Sequence, residues 1–256
     1  MEIGANDFNL EQLELGSGYK VTLTPVVIDD DPVAAITDAH VNKQIDYYVG
    51  PTTSAAAKAL LPYANSNNIV MVSPSSTAPE LAILGDSLYR LVPDDRKQTP
   101  FIAQMLANDD KTHVVIVQRD DVWGRDMVSA FRDSYTGTVS DAITYSVDLD
   151  TVDFAGLARQ LEGALDATPG AGPDGTAVLF VGFHADFIDL VRAILADASL
   201  DDVRAVAWYG TGGITTSTPI ISASDVARFA ESVGLTSSIY HVPGTSETDH
   251  LITQLR

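Results

Sequence analysis

Cysteine is absent from the 256 residues of this chain, basic residues are scarce, and no long apolar run occurs. The missing cysteine excludes disulfides, thiolate zinc sites and cysteine nucleophiles. No apolar run approaches the roughly 20 residues that span a bilayer, so we expect no direct membrane insertion by this segment. Acidic residues number 35 against 15 lysines and arginines, and the formal charge of -20 disfavours nucleic acid or anionic lipid as a partner.

Cofactor and metal motifs are missing or misplaced. No P-loop or calcium-loop pattern occurs, and the five histidines show no metal-ligand spacing. The stretch GAGPDG (170–175) fits G-x-G-x-x-G, but it precedes a predicted strand, whereas a dinucleotide site follows a strand and opens a helix. Adjacent acids, such as Asp94 with Asp95 and Asp120 with Asp121, are interpreted as solvated turn residues. The sequence therefore predicts no cofactor and no metal site.

Short β-rich apolar runs alternate with longer amphipathic stretches along the chain. Strands are predicted at YKVTLTPVVI, DYYVG, IVMVS, LYRLV, HVVIVQ, AITYSV, TAVLFVGF and AVAWYG. Between them, apolar residues recur at helical spacing, as in SAAAKALLPYANSNN and ADFIDLVRAILADA. The alternation predicts an α/β fold with parallel sheets. A polar turn near residues 108–111 suggests two lobes, although one continuous doubly wound sheet would show the same local alternation.

Two predicted strand-to-helix junctions are rich in hydroxyl groups. PTTS follows the strand DYYVG, and SPSST follows IVMV and precedes the predicted helix APELAIL. A Ser or Thr at a helix start commonly caps free backbone N–H groups, and Ser54 and Thr77 are the candidates. Capping leaves the other hydroxyls of the two loops unexplained: Thr52, Thr53, Ser73, Ser75 and Ser76. Because such loops gather at one edge of a parallel sheet, we predict a shared site for a carboxylate or another acceptor-rich ligand.

The stretch GPTTSAAAKALLPYANSNNIVMVSPSSTAPELA, followed by LYRLVPDD and VVIVQRDDVWGRDMVSAF, resembles the type I periplasmic binding fold. Members of that family include the solute-binding proteins of ABC importers for branched-chain amino acids and amides. The resemblance runs from about Glu2 to about Val242. It implies two Rossmann-like lobes with a ligand cleft between them. Residues 1–108 would form an incomplete first lobe without its first strand, 109–240 the second lobe, and 241–256 the start of the return towards the first.

The resemblance also implies ligand-binding residues in the hydroxyl-rich loops. Ser54 matches the serine whose hydroxyl meets the ligand carboxylate. Ser76 and Thr77 match the pair that contacts the ligand carboxylate and amine. Thr53 and Ser75, their neighbours in the same loops, complete the predicted first-lobe contacts.

Two aromatic residues and a glycine extend this implied site into the second lobe. Trp123 and Phe183 fall where the family places aromatics against the ligand, with core packing as the alternative for each. Gly212 stands where amino acid binders of the family have an acid for the ligand ammonium. An α-amino acid ligand would therefore need a substitute acid, such as Asp186 or Asp121.

The function implied by the resemblance is non-enzymatic. It is that of an extracytoplasmic solute-binding protein of an ABC importer, which captures a small amino acid, amide or carboxylate-like ligand by hinge closure and has a membrane permease as partner. The first residues carry acids where an export signal has a basic start, so any such signal is expected outside this chain. The alternative is the sensing domain of a receptor or amide-type regulator. A hydrolase using Ser54 or Ser76 is a third hypothesis, which lacks a credible base.

Overall fold

A computed structural model of the chain describes residues 2–28, 31–167 and 172–238. Its contacts divide the chain into two compact units, one of Asp46–Tyr240 and one of Met1–Ile45 with His241–Arg256. The return predicted for residues 241–256 lies outside the described residues, as do residues 168–171, which include Gly170 of the GAGPDG stretch. The lobe boundaries expected from the sequence stay a prediction.

Strands of the larger unit form two sheets in which every pair of neighbours is parallel. The first sheet has three strands in chain order: β1 (Tyr47–Val49), β2 (Val70–Ser73) and β3 (Leu88–Arg90). The second has six strands: β4 (His113–Arg119), β5 (Thr138–Val139), β6 (Ile143–Tyr145), β7 (Thr176–Val181), β8 (Ala207–Gly210) and β9 (Thr236–Ser237). Its order is β5-β4-β7-β8-β9, with β6 also paired to β4. The predicted α/β class with parallel sheets is confirmed.

Helices connect these strands in the larger unit: α3 (Ser54–Asn67), α4 (Thr99–Asn108), α5 (Val122–Ser134), α6 (Phe154–Asp166), α7 (Gly172–Gly175), α8 (His184–Ala196), α9 (Asp202–Ala205), α10 (Thr218–Ser222) and α11 (Ser224–Ser232). Short 3-10 turns occur at Pro79–Leu81, Asp95–Lys97 and Leu149–Thr151. The smaller unit contains α1 (Glu2–Glu14) and α2 (Pro32–Lys43).

The second sheet carries apolar layers on both faces. All six residues of β7 are buried, as expected for a central parallel strand. Because side chains alternate along a strand, Val178 and Phe180 join the core formed with α6 and α8, while Leu179 and Val181 join the core formed with α4 and α5. This double burial fixes the strand ends, and with them the loops at the carboxyl edge of the sheet.

Two predicted elements are wrong. YKVTLTPVVI (residues 19–28) forms no strand, because the main chain at Val21 bonds to the Asn9 side chain of α1, with N···O distances of 2.7 and 2.8 Å, in place of a neighbouring strand. APELAIL is a single 3-10 turn and not a helix. Leu81 alone of its larger apolar residues is buried, and Gly85, with φ +79°, turns the chain back towards β3.

Candidate ligand-binding site

A cavity of about 660 Å³ lies where the carboxyl ends of strands from both sheets meet, within the larger unit. Its wall comes from the loops after β1, β2 and β3 of the first sheet and after β4, β7 and β8 of the second. The lining residues are Thr52, Thr53, Ser54, Ser75, Thr77, Val92, Asp95, Gln98, Trp123, Phe183, His184, Ala185, Asp186, Gly212 and Gly213. The carboxyl edge of parallel strands is where ligands bind in open α/β sheets.

Hydroxyl groups at the start of α3 combine structural hydrogen bonds with exposure to the cavity. Thr53 is the N-cap residue, since its Oγ1 accepts a hydrogen bond from Ala56 N (3.2 Å). Buried Ser54 Oγ accepts from Ala78 N across to the next loop (3.1 Å). A hydroxyl has one proton and two lone pairs, so both side chains can still donate to a ligand. The predicted capping by Ser54 is wrong, because the helix begins one residue earlier than expected.

The serines of the second loop mostly hold the two loops together. Ser73 Oγ donates to Pro51 O (2.6 Å) and shares a hydrogen bond with Ser76 Oγ (2.7 Å). Ser75 Oγ donates to Thr52 O (2.6 Å). Ser73 and Ser76 are completely buried, and Ser76 is not among the lining residues. Thr77 lines the cavity but caps no helix, since the short turn after it has no side-chain cap.

Trp123 and Phe183 form an aromatic wall. Their rings stack with centroids 4.9 Å apart and planes 7° from parallel, and the guanidinium carbon of Arg119 lies 4.3 Å from the Phe183 ring centroid. Trp123 also belongs to the core between the second sheet and α5. Trp123 therefore packs in the core and also lines the cavity, because its ring is large enough to contact both.

A buried ion-pair network, whose member Asp186 also lines the cavity, supports this wall. Arg119 donates to Asp121 Oδ2 (2.7 Å) and to Asp186 Oδ2 (2.8 Å). Asp186 Oδ2 also accepts from the Tyr145 hydroxyl (2.7 Å) and from Phe183 N (3.1 Å). Burial and the nearby Asp186 carboxylate raise the pKa of Tyr145, so this phenol is held as a donor. Both acids considered as substitutes at Gly212 are thus already paired with a cation.

Asp95, at the start of the 3-10 turn in the loop after β3, is the unexpected member of the wall. It is 1% exposed, and neither carboxylate oxygen accepts a hydrogen bond of ordinary geometry from the described residues, although the Thr77 hydroxyl lies near enough to lower its pKa. Burial, with help from the neighbouring Asp94 and Asp126, raises the pKa of Asp95 to about 7, against the opposing effects of the Thr77 hydroxyl and Arg90. The interpretation as solvated turn residues is therefore wrong for Asp95, and also for Asp121, whose side chain is 11% exposed and paired with Arg119. The side chain of Asp120 is 56% exposed.

Seven of the sequence-predicted residues line the cavity together, and Ser76 lies behind it: the seven are Thr53, Ser54, Ser75, Thr77, Trp123, Phe183 and Gly212. Sequence reasoning missed Asp95, Gln98, His184 and Gly213. Loops after consecutive parallel strands lie at the same edge of a sheet, and this applies to the loop after β3 as it does to those after β1 and β2. Asp95 and Gln98 could therefore have been predicted at the site from the sequence. Within the described residues, no group of three or more acids and histidines is arranged to hold a metal ion.

Gly213→Ala is expected to lower the free energy of unfolding by about 1–3 kcal/mol, while Gly212→Ala changes it by less than about 1 kcal/mol. A Cβ at Gly213 would overlap the backbone oxygen of Gly182 and lie 3.0 Å from the Trp123 ring. A Cβ at Gly212 meets the end of the Gln98 side chain at 3.2 Å and the backbone oxygen of Ser238 at 3.9 Å, which is ordinary van der Waals contact. Urea denaturation of both variants measures the difference. Equal losses would contradict the described packing of the β8 loop.

Comparison with known proteins assigns the chain to a family. A family model described as "Receptor family ligand binding region" matches residues 12–254, and so includes the whole cavity wall. The chain belongs to this family. Its fold is type I periplasmic binding-like, in agreement with the resemblance noted in the sequence.

Of three relatives of this chain, one is uncharacterized and two are named for the amino acids that they bind. The chain is 26% identical to an uncharacterized protein of Methanocaldococcus jannaschii, over 97% of this chain and 58% of that protein. It is 26% identical to Leu/Ile/Val-binding protein homolog 3 of Brucella melitensis, over 66% of this chain and 45% of that protein. It is 28% identical to a leucine-, isoleucine-, valine-, threonine- and alanine-binding protein of Pseudomonas aeruginosa, over 43% of this chain and 31% of that protein. The chain thus spans about half the length, or less, of these curated relatives.

Proposed function

We propose that this chain is a solute-binding protein that captures a small carboxylate-bearing ligand in the cavity between its two sheets and performs no chemistry on it. The observation that carries the proposal is the convergence of six strand ends, hydroxyl donors and an aromatic pair on one cavity of about 660 Å³. Small-ligand sites have this size and this mixture of apolar walls with a few convergent polar groups.

The hydroxyl groups that can still donate a proton to a ligand indicate that the ligand is an anion. Ser75 uses its proton on Thr52 O, whereas Thr53 and Ser54 accept hydrogen bonds from backbone N–H groups and keep theirs. These two donors stand at the start of α3, where the first amide groups have no intrahelical partner and the helix dipole favours negative charge. A carboxylate matches this set of donors despite the acidic surface of the chain.

Transport is the role we propose, on the resemblance of the sequence to the solute-binding proteins of ABC importers. Two of the proteins described above are named for binding leucine, isoleucine and valine, which supports an aliphatic amino acid or a related carboxylate as ligand. Delivery to an ABC permease, hinge closure and an extracytoplasmic location belong to the same proposal. Among the described residues, no helix is long and apolar enough to cross a membrane.

A ligand-sensing role is the second candidate, because the description of the matched family refers to receptors. The same cavity would serve either role. Transport requires a permease that recognises the ligand-bound chain, whereas sensing requires a signalling domain that responds to it.

Isothermal titration with leucine, alanine, short amides and aliphatic carboxylates tests ligand binding. We expect at least one carboxylate ligand to bind, and Thr53→Val to weaken its binding about 10- to 100-fold, because it removes one of the two hydroxyl donors at the start of α3. Thr138→Val, which removes a hydroxyl from β5 outside the cavity, is the matched control and should bind as the wild type does. Absence of binding by every compound in a folded wild-type protein would reject the proposal.

A further inference from the structure

Resting on the proposed function, we infer that Asp126 is a positioning residue for the ligand, because its hydrogen bond to the backbone of Glu80 holds the aromatic wall against the hydroxyl loops and slows ligand release. Asp126 Oδ2 accepts this bond from Glu80 N at 2.9 Å. Glu80 lies in the 3-10 turn after the second hydroxyl loop, and Asp126 lies in α5, the helix after β4. Neither residue lines the cavity, so the contact acts on a ligand only through the walls.

The backbone N–H of Glu80 has no capping acceptor from its own loop. The first N–H groups of a helical turn lack an acceptor inside that turn. Ala78 occupies the N-cap position of the turn and forms no side-chain cap, because alanine has no polar side-chain atom. The half-buried carboxylate of Asp126 supplies the acceptor from the layer of the second sheet. Such a charge-assisted bond is stronger than a bond between neutral groups.

Glu80 is fixed in position relative to the hydroxyl groups of the cavity. Ala78 N donates to Ser54 Oγ (3.1 Å), and Ala78 O accepts from Arg90 Nη1 (3.0 Å). Two residues further on, the Glu80 carboxylate pairs with Lys58 Nζ of α3 at 2.5 Å. The Glu80 amide is therefore anchored to the same helix and the same loop that carry the hydroxyl donors.

Asp126 is fixed in position relative to the aromatic wall. Trp123 precedes it by three residues in α5, and residues at this spacing are neighbours on a helix surface. The start of α5 is held to the end of β4, since Asp121 Oδ1 accepts from Gly124 N (2.8 Å) and a Cβ at Gly124 would overlap the backbone oxygen of Arg119. A displacement of Asp126 would therefore move the aromatic wall with it.

The Asp126–Glu80 contact joins the layers of the two sheets. The side-chain hydrogen bonds described above for the hydroxyl loops all stay within residues 51–90. Within Asp46–Tyr240 the main chain passes from the first sheet to the second once, between β3 and β4. Separation of the two layers would open the cavity and break this contact. Ligand release by that route is therefore slower when the contact is present.

Two substitutions separate the hydrogen bond from the charge of Asp126. Asp126 lies close enough to Asp95 to raise the pKa of that acid, so its removal also changes the charge near the cavity. Asp126→Asn removes the charge and keeps an oxygen acceptor, whereas Asp126→Ala removes both. For a carboxylate ligand, loss of a nearby negative charge favours binding, whereas loss of the contact favours release. The two effects have opposite signs.

A distance measurement without added ligand tests whether the contact holds the walls together. Because the chain has no cysteine, spin labels can be attached at Ser66→Cys on α3 and Asp133→Cys on α5, both exposed positions. Pulsed electron–electron double resonance then gives the distribution of distances between the two helices. We expect Asp126→Ala to broaden this distribution and shift it to longer distances, and Asp126→Asn to resemble the parent protein.

Stopped-flow fluorescence tests the effect on ligand release, with leucine and 4-methylpentanoate as probes and Trp123 as a reporter in the cavity wall. The dissociation rate should rise about 3- to 10-fold in Asp126→Ala, the loss of one hydrogen bond, and stay within about 2-fold of the wild type in Asp126→Asn. The association rate should change less than about 2-fold in both. Alanine is a better helix former than aspartate, and circular dichroism checks that the variant is folded.

Several results would overturn the inference. These are identical distance distributions for the parent protein and Asp126→Ala, an unchanged dissociation rate in Asp126→Ala, or the same change in Asp126→Asn as in Asp126→Ala. Failure of both probes to bind the folded wild type would reject the carboxylate ligand of the proposed function and the effect on its release. The distance measurement would still decide whether the contact holds the two walls together.

Discussion

Arg119→Met is expected to lower the free energy of unfolding by about 3–5 kcal/mol, because it leaves buried carboxylates without their cation. The side chain of Asp186 is 2% exposed and that of Asp121 is 11% exposed, and Arg119 pairs with both. Methionine retains much of the apolar length of arginine, so the loss reports on charge more than on volume. Urea denaturation followed by circular dichroism measures it.

Arg125→Met is the matched control for this prediction. Arg125 pairs with Asp120, but the two side chains are 54% and 56% exposed. Exposed pairs contribute about 0–1 kcal/mol, so this variant should unfold almost as the wild type does. A loss for Arg119→Met no larger than that for Arg125→Met would contradict the network behind the aromatic wall.

The free energy of unfolding of Asp95→Asn, minus that of the wild type, is expected to increase by about 3 kcal/mol as the pH rises from 5 to 8 in the absence of ligand. The increase arises because the wild type loses stability over this range. The carboxyl ionises near 3.8 in the unfolded chain and at about 7 in the folded protein. Between these values the folded state holds a proton that the unfolded state has released, so the contribution of Asp95 to stability falls as pH rises through 7. Asparagine has no such titration.

Urea denaturation at pH 5, 6, 7 and 8 yields the difference between variant and wild type, in which the titration of all other groups largely cancels. Asp133→Asn, an exposed site on α5, is the control, and its difference from the wild type should stay within about 0.5 kcal/mol. A pH-independent difference for Asp95→Asn would show that the folded carboxyl finds a partner.

Local patterns in the sequence were sufficient for the class of fold. The apolar run of β7 and the helical spacing of α8 each specify one element, and the alternation of such elements specifies parallel sheets. YKVTLTPVVI failed because a strand exists only where another strand supplies its hydrogen bonds, and local composition contains no information about that partner. APELAIL failed because the helix lacked an apolar face that the fold could bury.

The candidate site was predictable where chain order determines position. Loops after consecutive parallel strands meet at one edge, so Thr53, Ser54, Ser75 and Thr77 could be placed together from sequence. Hydrogen-bond roles were not predictable. Whether a serine faces a ligand or another loop depends on which atoms approach it, and Ser76 turned out to bond to Ser73 behind the cavity wall.

By itself the sequence determined the α/β class, the membership of the family and the loops that carry the hydroxyl groups, because each depends on residue type and order along the chain. Only the tertiary structure decided which acids are available. Asp121 and Asp186 are paired with Arg119, whereas Asp95 is buried and forms no ion pair with the residues that the structure describes. The physical reason is that the ionisation and pairing of a carboxyl depend on burial and on nearby charges, and both are set by residues that are distant in sequence and become neighbours only on folding.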